Sequence, residues 1–155
     1  MILEKKPLKR VKELQELSRE HHHGLLLCWK IRAGFSKNIA PERIKKYADW
    51  FYTEHLLPHF ELEEEYVFPV LKEGHELVKK ALIEHRRLRR LFSQKDHADK
   101  NLGLIEEELE AHIRFEERVL FPEIQKVATA EQLAKIAEVH KEGSFTENEQ
   151  DVFWK

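Results

Sequence analysis

Apolar residues recur along most of this chain at intervals of three and four, the mark of helices with one buried face. The series Leu14-Leu17-His21-Leu25-Cys28 predicts a helix from Leu8 to Gly34, with Pro7 suited to its first turn and Gly34 to its end. A second helix is predicted from Pro41 to about Leu71, with Tyr52-Leu56-His59-Glu63-Tyr66-Val70 on its inner face. Pro58 lies inside it and predicts a kink about a turn before His59, because proline donates no backbone hydrogen bond. A third runs from about His75 to Phe92, with Val78, Leu82, His85, Leu88 and Phe92 inward. A fourth runs from about Asp99 to Val127, stepping Ile105-Leu109-His112-Glu116-Val119. Thr129 with Gln132 reads as a helix start. No strand-turn-strand pattern interrupts the series. The predicted fold is all-α: one domain, an antiparallel up-and-down four-helix bundle over about residues 8–127, a short additional C-terminal helix over about 130–141, and a tail over 142–155.

Composition narrows the picture. A net charge of −2 gives no broad basic surface for nucleic acid. Cys28 is the sole cysteine, so no intramolecular disulfide forms, which fits a reducing compartment. No signal peptide is evident, and the longest apolar run, Leu25 to Trp29, is far too short to span a bilayer. The expected location is cytoplasmic. Ten histidines stand out, three of them consecutive (His21, His22 and His23).

Several of the histidines fall where apolar residues belong. HFELEEEYVFP, residues 59–69, and HIRFEERVLFP, residues 112–122, repeat one pattern. His59 and Glu63 lie four apart and share a helix face, as do His112 and Glu116. Both pairs sit on the apolar stripe. A carboxylate there needs a cation, whether a Lys or Arg, a proton or a metal. His85 lies on the third inner face. On the first helix, Leu14 and Leu17 favour His21, while Leu25, Leu26 and Trp29 favour His22. Four histidines and two glutamates would meet at one level. They contain no thiolate, which excludes a cysteine-type zinc cage. Four imidazoles do not suit an all-oxygen calcium or magnesium site. The mixture suits iron, manganese or zinc. The competing reading is a polar core network without metal.

The element H-x3-E-E-x3-F-P, present twice and each time preceded by an EH pair (Glu20-His21 and Glu84-His85), resembles the hemerythrin-like family of HHE cation-binding domains over about Leu14 to Val127. The resemblance implies a centre of two non-haem iron ions (Fe2+/Fe3+) with a bridging oxo or hydroxo group. Its ligands would be His21 (or His22), His59, Glu63, His85, His112 and Glu116, with the two glutamates bridging. Two departures matter. Arg89 stands where oxygen-carrying members have a further histidine, and H-x3-E replaces their H-x4-D in the fourth helix. The resemblance then implies a more open centre, suited to O2 or peroxide reduction, nitric oxide binding or sensing rather than plain O2 carriage. Tyr66 is either an extra ligand, a redox-active neighbour or a core aromatic.

The expected function is therefore di-iron binding in O2, nitric oxide or redox sensing, or in iron handling. The alternative is a di-iron oxidase or peroxidase, or an iron donor of the iron–sulfur cluster repair type. Expected partners are small diatomic or anionic ligands (O2, NO, peroxide), with no nucleic acid and no membrane. Phe153 and Trp154 dock either within the monomer or across a homodimer, and an unknown protein partner also stays open. A ferritin-like bundle would need a glutamate three residues before each histidine, where this chain has Leu56 and Leu109.

Overall fold

The computed structural model describes residues 9–140 and 145–155. Among them, α1 spans Lys12–Ser36. α2 (Pro41–Phe51) passes through a π turn (Tyr52–Leu56) into α3 (Leu57–Leu62), then a second π turn (Glu63–Val67) and a 3-10 turn (Phe68–Val70). α4 spans Glu76–Ser93. α5 (Ala98–Phe115) continues through a third π turn (Glu116–Leu120) into α6 (Phe121–Val127), and α7 spans Ala130–Val139. The described residues contain no strand, and the helices pack as a bundle in which α1 and α4 both lie along α5, and α7 packs on α1. Thr129 and Gln132 form the expected reciprocal cap of α7. Pro7, Leu8 and Lys141 fall outside the described residues, but the start expected at Leu8 is not met: Val11 is extended, with ψ 150°, and α1 begins only at Lys12.

The three π turns share one cause. Each ends two residues before a proline: Pro58, Pro69 or Pro122. In a regular helix a proline ring collides with the carbonyl four residues back. Here the amides of Leu57, Phe68 and Phe121 reach five residues back, to the carbonyls of Tyr52, Glu63 and Glu116, and the wider turn relieves the crowding. The kink expected at Pro58 is thus replaced by a π turn.

Each π turn holds one extra residue, so the buried face moves on by one. Val119, expected inward, is 45% exposed, and Leu120 and Phe121 are buried instead. Val67 and Leu71 are likewise buried, where the unbroken spacing selects Tyr66 and Val70. The end of α1 also differs from expectation. The helix runs past Gly34 to Ser36, and the left-handed turn residue is Asn38, with φ 58°. Gly34 serves close packing: a Cβ there would lie 2.6 Å from Cδ1 of Ile44.

Two apolar clusters flank a polar layer. One contains Leu27, Ile31, Phe51, Phe60, Leu88, Leu102 and Leu109. The other contains Leu14, Leu17, Val67, Phe68, Ala81, Leu120 and Phe121. The tail completes the first cluster from within the same chain. Phe153 and Trp154 are buried there, both against Tyr47. Buried Lys30 donates to the Tyr47 hydroxyl at 2.8 Å, pairs with Glu147 and lies 4.3 Å above the Trp154 ring. An ammonium stripped of water is tolerated there because a carboxylate and aromatic faces replace its hydration.

Candidate metal centre

Between the apolar clusters, six side chains from four helical segments meet. His21 comes from α1, His59 from α3, His85 from α4 and His112 from α5, while Glu63 and Glu116 each open a π turn. None is more than 5% exposed. Every histidine presents Nε2 inward. His21 Nε2 lies 2.9 Å from a Glu116 oxygen and 3.7 Å from a Glu63 oxygen. His59 Nε2 is 3.3 Å and His85 Nε2 is 3.2 Å from Glu63 Oε1. His112 Nε2 is 3.3 Å from Glu116 Oε1 and 3.1 Å from His85 Nε2. The six form two groups, His21-His59-Glu63-Glu116 and Glu63-His85-His112-Glu116, each with its donor atoms within 4.8 Å of one another. Both glutamates belong to both groups. His22 is exposed and belongs to neither.

Proximity alone does not satisfy these groups. His59 Nε2, both Glu63 oxygens and Glu116 Oε2 are buried without a hydrogen-bond partner, although some lie close to one another. An orphaned buried polar atom costs about 1–3 kcal/mol. A polar network without metal leaves all four orphaned at one point, whereas cations held by these residues would give them partners. The donor set, imidazole plus carboxylate with no thiolate, suits a transition metal.

The outer nitrogens are held as a metal centre requires. Each Nδ1–H donates to a carboxylate on a neighbouring helix, which fixes the tautomer and aims the Nε2 lone pair inward. His59 donates to Glu20 at 2.7 Å, His85 to Glu64 at 2.6 Å, His112 to Glu84 at 2.8 Å and His21 to Glu117 at 2.9 Å. These contacts form a closed cycle in which each helical segment orients the histidine of the next. The carboxylates are themselves tied: Glu64 to Arg89, Glu84 to Lys80, Glu117 to Ser18 and Glu20 to His140.

Residues 10–102 match the family model of the hemerythrin HHE cation binding domain, a segment longer than half of the 155-residue chain. The chain belongs to the hemerythrin HHE cation-binding family. No curated protein and no solved structure matches it. The match takes in His21, His59, Glu63 and His85. His112 and Glu116 lie beyond it, and in this hemerythrin-type chain the fold brings them to the other four.

The charge state without metal follows from the same contacts. Burial alone would lower His59 and His112, but Glu63, Glu116 and the outer carboxylates prevail and raise both to about 9. Burial opposes the shift of Glu20 too, yet His140 and His59 hold it down to about 2. Protons therefore take the place of metal charge in the metal-free hemerythrin-type centre.

Other residues singled out in the sequence have separate places. Arg89, in the position of the missing histidine, pairs with Glu64 at 2.8 Å and so supports His85 indirectly. Tyr66 packs in the second apolar cluster. His75 caps α4 by accepting from the Leu77 amide. Cys28 is buried, and burial pushes its thiol up to about 12. From the sequence, Glu64 and Glu117 read as surface residues or supports of the ligands, while Glu20 and Glu84 and the cycle itself went unread, although the signal is there: each EH and EE pair sets a carboxylate one residue, a rotation of about 100°, from an inward ligand. Glu84→Ala is expected to weaken one metal site of this hemerythrin-type domain about 10- to 100-fold, because His112 enters only one group. Competition with a chelator measures this, and an affinity equal to the parent's at both sites would refute it.

Proposed function

We propose that the chain is a single hemerythrin-type domain holding two non-haem iron ions, in the cytoplasm, and that it works in O2, nitric oxide or redox sensing or in iron handling. The observation that carries this reading is that Glu63 and Glu116 are each shared by two groups that also contribute two histidines. An antiparallel up-and-down four-helix arrangement belongs to the same reading. It is supported by the order in which the segments meet the two apolar clusters. α1 goes from Leu14 to Leu27, residues 41–70 from Phe51 to Val67, α4 from Ala81 to Leu88, and residues 98–127 from Leu102 to Phe121, so successive segments cross the polar layer in opposite senses.

Iron bound there would supply redox capacity and open positions for a small diatomic or anionic ligand. The chain's own part is orientation and exclusion. Glu20, Glu64, Glu84 and Glu117 hold the imidazoles in one tautomer. Phe60 and Phe121 stack on His85 and His21 and keep water from those rings. A second reading, oxidase or peroxidase, is favoured by the cavity that borders His21 and His59 and gives a reactant a way in.

Elemental analysis of tag-free protein, loaded anaerobically with Fe(II) and desalted, is expected to give two irons per chain. A value near zero would reduce the six residues to a polar core network. A value of one would retain the ligands and remove the bridging arrangement.

A further inference from the structure

The two sides of the centre are built unequally. On the His85 side the rings close in: Phe60 stacks on His85 with centroids 3.9 Å apart, Phe68 lies 5.3 Å from the same ring, and Phe60 meets His112 edge-on. The His21 and His59 side instead borders a cavity of about 450 Å³. A water occupies about 30 Å³ in the liquid, so the space far exceeds what a diatomic ligand needs and falls in the range of organic-ligand sites.

The lining indicates the kind of ligand. Phe51, Leu56, Ile113 and Phe145 form apolar walls. Phe145 comes from the C-terminal tail, stacks on His23 at 4.3 Å and 15°, and packs against His55 at 4.8 Å. Nδ1 of His23 is buried and has no hydrogen-bond partner. The charged groups lining the cavity are already engaged: Glu16 with Arg19, and Glu20 with His59 and His140. An ionic ligand would find no free counter-charge among them, whereas a flat neutral ring would find aromatic faces.

We propose that this cavity binds a small, uncharged aromatic molecule of the phenol class, its ring among Phe51, His55 and Phe145 beside the His23 ring. The site deepens the metal-centre reading because it opens on His21 and His59. Its walls belong to the chain alone, so occupancy does not require the ions.

The test uses phenol as the probe. It is titrated into the full chain, both metal-free and zinc-loaded, and followed by calorimetry and by the imidazole NMR signals of His23 and His55. Saturable binding of one phenol per chain is expected in both forms. Phe145→Ala and His23→Ala are each expected to weaken it about tenfold, with metal content unchanged. Benzoate is expected to bind the metal-free chain more weakly than phenol. The proposal is overturned by absence of saturable phenol binding in both forms, by undiminished affinity in both variants, or by benzoate binding as tightly as phenol. Phenol binding to a chain that takes up no metal would keep this site while the metal reading fails; two bound metals without phenol binding would do the reverse.

Discussion

Replacing Glu63 and Glu116 together by alanine is expected to take the metal content of the chain from the proposed two ions to near zero and to leave it helical. Each glutamate serves both groups, so the double change removes four of the eight contributions to the two groups while touching two residues. The helices do not depend on these carboxylates, since apolar clusters on either side of the polar layer bury most of the core. Without Glu63 and Glu116, His21, His59 and His112 keep only Glu117, Glu20 and Glu84 of the carboxylates that raise them, so burial draws them back toward the neutral imidazole, which the interior tolerates. What disappears is stabilisation by metal, about 2.7 kcal/mol for an ion at a hundred times its dissociation constant. Elemental analysis and melting followed by circular dichroism check both halves of the expectation. Full metal content in the double variant would sink the assignment.

The stability of the metal-free protein and its affinity for metal are expected to respond to pH in opposite ways. His59 and His112 are raised to about 9 in the metal-free fold, against about 6.5 in the unfolded chain. Their charged forms stabilise the fold fully below pH 6.5, and that contribution is lost as pH rises through 9. At the acid end the sign reverses. Glu20, held at about 2, contributes above its ordinary range, and its share is lost as pH falls toward 2. Metal binding needs neutral imidazoles and therefore strengthens as pH rises. The melting temperature of the metal-free chain is expected to fall between pH 6.5 and 9 by on the order of 10 °C. The gap between loaded and free protein widens over the same interval. Parallel melting curves would mean that the histidines are not the groups exchanging protons for metal.

The six central residues were legible because polar side chains on an apolar stripe violate the stripe's own logic. His59, Glu63, His112 and Glu116 kept helical spacing with Leu56 and Leu109, so their direction could be read without coordinates. The choice between His21 and His22 could not, since apolar neighbours lie on both sides; burial separates them, with His21 inside and His22 exposed. Spacing failed where the helix is not regular. Val119 was misplaced because a π turn adds a residue, and only the proline two residues beyond the turn hints at it. Phe153 and Trp154 carried no periodic signal at all. Their burial depends on a surface assembled from Tyr47, Lys30 and Gly34, residues brought together only by folding.

The cycle of outer carboxylates carries an internal twofold relation. Glu20 to His59 and Glu84 to His112 are one kind of contact, Glu64 to His85 and Glu117 to His21 the other. Exchanging the first half of the chain for the second carries every contact onto another. Each metal group takes three side chains from one half and a single carboxylate from the other: Glu116 completes the group of His21, His59 and Glu63, and Glu63 completes that of His85, His112 and Glu116. The centre is in effect a dimer folded into one polypeptide, and ions bound there would act as cross-links between its halves. Removing metal is then expected to loosen the seam between the two halves of the chain before it loosens either half.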